Sequence, residues 1–177
     1  MDIFITSFAV KNKETGDIDI ANVYVTKNKP ETLQEEWQIE ERKSIKTLHL
    51  TEEWQPNNWH TICFVVKIQN EIVAMAGVGV NRGGNSLPDA TLFSGFVTKK
   101  HRNQGIYKQL FKARYDYLLQ HTHPSIIDID TLNEYVKKIL KSYNFIENGF
   151  KITLDACHNV HKSCSYYKAI KYIAFDK

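Results

Sequence analysis

Leu92-Phe93-Ser94-Gly95-Phe96-Val97-Thr98, continuing into Lys99-Lys100-His101-Arg102-Asn103-Gln104-Gly105-Ile106-Tyr107-Lys108, is the stretch on which the fold depends. A β-type run ends at Thr98, a basic polar turn closes on Gly105, and from there Ile106, Leu110, Ala113 and Tyr117 share one helical face. A strand feeding a glycine turn that opens a helix is a geometry for binding an anion, because unbonded N–H groups and the positive helix end converge on one place. Phosphate is the natural ligand. Gly105 lets the chain pass close to a diphosphate without a Cβ in the way, and Arg102 or Lys108 adds direct charge. The run Lys99 to Arg102 would ordinarily be a solvated loop; its place before this turn gives it a functional reading.

Upstream, Asp2 to Val10 and Ile18 to Val25 are β-rich around Glu14-Thr15-Gly16-Asp17, which predicts a hairpin. Pro30-Glu31-Thr32 opens a helix-permissive stretch to about Lys46, with Thr32 as cap, and Thr51 to Trp59 is expected to be an ordered loop. Ile62 to Val66 and Ile72 to Val80 are apolar strands joined across Gln69-Asn70, predicting an antiparallel hairpin. A Gly/Asn loop at Asn81 to Asn85 leads to the strand Ala90 to Thr98. Beyond the first helix, Ser125 to Ile129 reads as a short strand. Leu132, Val136, Ile139, Leu140 and Tyr143 then mark a second helix. Strands followed by a single βαβ crossover imply a mixed α/β sheet with helices packed on its faces.

These residues resemble the GNAT superfamily of acyl-CoA-dependent N-acyltransferases, whose diphosphate motif is Arg/Gln-x-x-Gly-x-Gly/Ala between a strand and a helix. Arg102, Gly105 and Tyr107 occupy the three positions. The likeness continues through Asn133, where the family often has an Asn opening the next helix, to Asn144-Phe145, and spans roughly Ile62 to Phe150. It implies a mixed, mostly antiparallel sheet with helices on both faces. Residues 1–177 are then a single domain in which 61–150 form the acyl-CoA-binding core, and residues 1–60 are left unassigned. It further implies direct attack of an amine on a thioester. The cofactor residues expected from it are Phe96, Val97 and Thr98, with backbone N–H groups near Val97 for the thioester carbonyl, then Arg102, Asn103, Gln104, Gly105, Ile106, Tyr107, Lys108 and Asn133. Tyr107 stands where the family prefers Gly or Ala, so its ring must turn away or lie over the cofactor. Leu140 stands where many members place a Tyr that protonates the leaving thiolate, and Asn144 replaces the usual Gly. Tyr143, one turn along the helix from Leu140, and Asp89, near the start of the strand with Thr91, are the remaining acid–base candidates; as ordinary residues they are an edge aromatic and a Pro-Asp turn.

Cys157, His158, His161 and Cys164 place four metal-ligand types within eight residues, but common structural zinc spacing separates its pairs by a longer loop. A polar loop or helix start is the expectation there, and no metal. His121 and His123 suit a helix end. Cys63, inside an apolar strand, reads as a small core residue. Trp37, Trp54, Trp59, Tyr166 and Tyr167 are of types that line acceptor pockets or stack on bases, and more commonly build cores.

At 177 residues, with 42% hydrophobic and 12% aromatic side chains, the chain has the material for one ordinary core. Its +3 charge, from 23 basic and 20 acidic groups, is too weak to indicate nucleic acid. No run approaches the ~18 apolar residues that span a bilayer, and the acidic start Met1-Asp2-Ile3-Phe4 does not read as a signal peptide. Three cysteines do not suggest a disulfide framework. The expectation is a cytoplasmic acyltransferase, acetyl-CoA or another acyl-CoA its co-substrate and an amine-bearing small molecule or protein its acceptor. A nucleic-acid base as acceptor and a non-catalytic binding protein on the same fold are the alternatives.

Overall fold

The computed structural model describes residues 2–26, 59–81, 90–122, 124, 126–131, 133–154 and 160–170. They fall into two compact units, one of residues 2–26, 61–78 and 94–122, the other of residues 59–60, 79–81, 90–93 and the described residues from 124 onward.

In the first unit, β1 (Ile3–Lys11) and β2 (Ile18–Thr26) form the predicted hairpin, with Val10 opposite Asp19 and a register slip between Phe4 and Thr6. Asn12 organises its turn. The side-chain carbonyl accepts from the N–H groups of Glu14 at 2.8 Å and Thr15 at 3.2 Å, while the Asn12 N–H bonds the Asp17 carbonyl at 2.8 Å. Such side-chain mimicry of a backbone turn is why Asn is favoured there. β2 pairs antiparallel with β3 (Trp59–Ile68), and Gln69-Asn70 turn the chain into β4 (Glu71–Asn81). Both turn residues have positive φ, 50° and 67°, as a two-residue type I′ hairpin requires. Trp59, assigned to a loop from the sequence, instead starts β3. Aromatic and β-branched residues continue upstream through Thr61 to Trp59, and Pro56 lies too early to stop them. β5 (Ala90–Val97) completes the order β1-β2-β3-β4-β5 in this unit.

The middle strands are buried on both faces. Phe64 and Val66 alternate with Val65, which clusters with Met75 and Phe96 beside the partly buried Tyr24 and Ile72. Cys63 is buried in β3, as its apolar surroundings suggested. Helix α1 (Ile106–Thr122) buries Ile106, Leu110 and Ala113, as the periodicity requires, and also Phe111, Arg114, Tyr115 and Leu118. Tyr117 is only half-buried, its ring edge-on to Phe64 with centroids 5.5 Å apart. Each large apolar side chain so buried is worth roughly 1.5–3 kcal/mol.

In the second unit β6 (Ile126–Thr131) pairs in parallel with the start of β5, and α1 is the crossover between them. Helix α2 (Glu134–Ser142) follows, then β7 (Ile146–Leu154) and β8 (Val160–Ile170). β8 inserts between β6 and β7, antiparallel to both, giving the order β5-β6-β8-β7. The sheet is therefore mixed and mostly antiparallel, with a βαβ crossover. The expected polar loop or helix start around residues 157–164 is overturned from Val160 onward: His161 and Cys164 lie in β8, whose Ser163, Tyr166 and Tyr167 hold ladder positions against Ile152, Asp130 and Ile129. Tertiary pairing decides such weakly patterned segments. The expectations for residues 30–46, for Trp37 and Trp54, for the loop 82–85, and for Asp89, His123, Cys157 and His158 lie outside the described residues. Among the described residues no helix is long and apolar enough to cross a membrane, and no cluster of potential metal ligands forms.

Candidate functional site

The turn between β5 and α1 is built from sequence-local rules. Thr98 N–H bonds the Val73 carbonyl at 2.9 Å, extending the β4 contact one residue beyond the strand. Lys99–His101 then make a single 3-10 turn, ended by Arg102 in an extended conformation. Arg102 Nε donates to the Val97 carbonyl at 2.9 Å, and its guanidinium lies 5.3 Å from the centre of the Phe96 ring. The side chain expected to meet phosphate thus also ties the turn back to the strand end. Asn103 and Gly105 both take positive φ, 60° and 77°. Alternation of this kind gathers backbone N–H groups into anion-binding concavities.

Gly105 is the point at which the helix starts, since its carbonyl accepts the first helical bond, from Gln109 N–H at 3.2 Å. The first N–H groups of a helix have no intrahelical acceptor. No carboxylate in the first turn of α1 competes for them, and Lys108 adds a cation. A Cβ on Gly105 would meet nothing within 4 Å, so glycine is required here by its φ and not by crowding.

Tyr107 turns away from the turn. Its ring lies against Gly95 of β5: a Cβ there would stand 2.6 Å from Tyr107 Cε2 and 2.8 Å from its hydroxyl. The hydroxyl also hydrogen-bonds Arg114, seven residues on along α1. Arg114 is 1% exposed and donates from Nη1 to the Gly77 carbonyl at 3.1 Å. Burial lowers its pKa, and Tyr107 works in the opposite direction. The large residue at the motif's small position is accommodated by a glycine on the facing strand. Sequence reading passed over both partners. Gly95, a lone glycine inside a strand pattern, is the signal that a close approach leaves, and Arg114 shares a helix face with Tyr107 at spacing seven.

His101 Nδ1 and Thr98 Oγ1 are 2.9 Å apart. Burial pushes the imidazole pKa below its ordinary value, against the pull of the Glu71 carboxylate. Beside them is a polar cleft of about 100 Å³ lined by Asn12, Lys13, Glu71, Lys100, His101 and Gln104.

The β5–β6 register covers Ala90 with Ile127, Thr91 with Asp128 and Leu92 with Ile129, whereas β5 itself runs on to Val97. Phe96 and Val97, both buried, lie in the stretch beyond that ladder.

In the second unit Asn133 caps α2. Its Oδ1 accepts from Tyr135 N–H at 2.9 Å and Val136 N–H at 3.2 Å, so this oxygen is committed to the helix. Tyr143, expected on the helix face one turn beyond Leu140, lies past the helix end as its C-cap, with φ −98° and ψ 15°. Asn144 then takes φ 61°, Phe145 N–H bonds the Leu140 carbonyl at 3.0 Å, and Asn144 N–H bonds that of Lys141 at 3.1 Å. This pair is a Schellman closure, and both Leu140 and Phe145 are buried. Asn is the residue that best replaces glycine in that conformation. Leu140 serves the core.

The family model described as Acetyltransferase (GNAT) family matches residues 27–145. No curated protein matches the chain. Among solved structures, RimJ of Mycobacterium smegmatis in complex with CoA-disulfide is similar with a TM-score of 0.66 and 10% identity, covering 98% of this chain and 90% of that one. Spermidine N-acetyltransferase of Vibrio cholerae in complex with CoA and spermine has a TM-score of 0.59 at 12% identity, covering 84% and 95%. Arabidopsis thaliana NAA60 in complex with a bisubstrate analogue has 0.57 at 13%, covering 84% and 97%. At such identities these likenesses speak to the fold, and the fold is the same. With the family match spanning two-thirds of its length over the strand, turn and helix described above, the chain belongs to the GNAT acetyltransferase family.

Proposed function

We propose that this protein transfers an acyl group, acetyl in the simplest case, from acyl-CoA to an amine by direct attack on the thioester. The observation that carries the reading is the start of α1: Gly105 at φ 77°, with the first helical N–H groups lacking a carboxylate competitor and Arg102 and Lys108 on either side. That arrangement suits a diphosphate. The length of β5 beyond the β6 ladder supports the use of its backbone, around Phe96 to Thr98, for the pantetheine and thioester. An attacking amine has a pKa near 10 and must lose its proton, and the leaving thiolate must gain one. Tyr143 and Asp89 are the candidates for that work, and Asn133 for a cofactor contact through its amide nitrogen. Amines such as polyamines or protein N-termini are the acceptor class, since structures similar in fold include a spermidine N-acetyltransferase and an acetyl transferase that modifies the N-terminal serine of a ribosomal protein.

Titration with acetyl-CoA tests the donor site. Saturation at about a hundred times Kd should stabilise the protein by about 2.7 kcal/mol. For a chain of this size that is a rise in Tm of about 5–10 °C. No stabilisation at millimolar cofactor sinks the reading. Thiol release against a panel of amines, peptides and oligonucleotides then selects the acceptor, and Tyr143→Phe and Asp89→Asn report on proton transfer through kcat. A second reading, an acyl-CoA-binding protein without turnover, is favoured by the buried leucine at position 140. Cofactor binding with no thiol release on any acceptor would establish it.

A further inference from the structure

We propose that Lys13 is a positioning residue for the acyl-CoA phosphates, and that through it the N-terminal hairpin, which lies outside the matched residues 27–145, forms part of the cofactor site. The inference rests on reading residues 102–108 as the phosphate cradle. Lys13 sits in the β1–β2 turn, and its Nζ donates to the backbone carbonyl of Arg102, 89 residues away. Because the peptide group is planar and trans, its carbonyl and the following N–H point in opposite directions. Holding the Arg102 carbonyl towards Lys13 therefore aims the Asn103 N–H away from Lys13. Asn103 is the first of the two left-handed residues of the turn.

Arg102 is thereby held at three points: its N–H to the Lys99 carbonyl at 3.3 Å, its side chain to the Val97 carbonyl at 2.9 Å, and its own carbonyl to Lys13. The platform behind Lys13 is itself braced. Asn12 closes the turn through its side chain and main chain, and Asn12 Nδ2 donates to Asp19 Oδ2 at 3.3 Å. Gln69 Nε2, from the neighbouring β3–β4 turn, donates to Asp19 Oδ1 at 3.4 Å. Two hairpin ends are thus joined beneath one lysine. A turn ordered before the cofactor arrives loses less freedom on binding, which is the gain a positioning residue provides.

The test compares Lys13→Met, Lys13→Arg and, as a control for the loss of one positive charge near a polyanionic ligand, Lys11→Met from the adjacent strand. Binding of CoA and of dephospho-CoA is measured by calorimetry, thermal melting reports folding, and steady-state kinetics give KM for acetyl-CoA and kcat. Lys13→Met is expected to weaken both ligands by about fivefold, the equivalent of one ordinary hydrogen bond. It should raise KM to match while leaving kcat and Tm in place, and Lys13→Arg, which keeps a donor, should restore affinity. Unchanged CoA affinity in a folded Lys13→Met protein overturns the proposal, as does an equal loss in Lys11→Met. A loss seen with CoA and absent with dephospho-CoA also overturns it, because Lys13 would then touch the 3′-phosphate directly. If the wild-type protein binds neither ligand, the cradle reading itself falls and takes this one with it, an outcome distinct from the other three.

Discussion

Replacing Gly95 by alanine sets a methyl carbon 2.6 Å from Tyr107 Cε2, 2.8 Å from its hydroxyl and 3.1 Å from Cζ. Relief requires the ring to move by most of an ångström. The moving atoms are the far end of a side chain, so the strain itself would be modest if nothing else held them. The hydroxyl, however, is hydrogen-bonded to the fully buried Arg114. Overpacking of this kind costs typically ~1–3 kcal/mol, and weakening a hydrogen bond to a charged group adds a further ~1.5 kcal/mol. We expect Gly95→Ala to destabilise by about 2.5–4.5 kcal/mol, a fall in Tm of about 5–18 °C for a chain this long. The assay is a double-mutant cycle by urea or thermal unfolding with Tyr107→Ala as the second substitution. In the Tyr107→Ala background the three atoms nearest the methyl group are gone, and Gly95→Ala should cost less than about 0.5 kcal/mol, or even stabilise the strand. An equal cost for Gly95→Ala in both backgrounds would refute the account of how this chain tolerates tyrosine at the motif's small position.

Three further outcomes follow from particular contacts. At Gly105, φ of 77° with open space for a Cβ makes conformation the sole obstacle; Gly105→Asn should therefore retain more stability and more CoA affinity than Gly105→Val, where strain costs roughly 1–2 kcal/mol or more. Equal behaviour of the two variants in melting and calorimetry would contradict this. His101 has a pKa lowered by burial, with Glu71 opposing and Lys100 assisting. The unfolded chain then takes up the proton first, so this contribution to stability is complete above about pH 6.5 and is lost as pH falls below it. Denaturant titrations of the wild type and His101→Gln between pH 7.5 and 5 should show a shallower acid decline in the variant. Asn133→Ala removes the α2 cap and should cost ~1 kcal/mol, while Asn133→Asp should retain the cap; comparison of the two melting temperatures decides.

Strand, turn and helix around residues 92–119 are legible in the chain because each obeys a local rule: a β run, a left-handed glycine, a helical apolar stripe. The same holds for the Gln69-Asn70 hairpin and for the Asn133 cap, whose partners lie within three residues. The segment from Val160 escapes such rules because its mixed polar residues carry little local preference, and the neighbouring strands decide it. Tyr107 is ambiguous for the same reason. Its own sequence neighbourhood puts a ring beside the phosphate turn, and only the facing Gly95, twelve residues back on another element, gives that ring somewhere to go. Lys13 is the extreme case. By itself the sequence determined that a basic turn opens a helix after a strand, since those preferences act between near neighbours. Only the tertiary structure decided that a lysine 89 residues upstream holds that turn, because a hydrogen bond across the fold leaves no period or spacing in the chain.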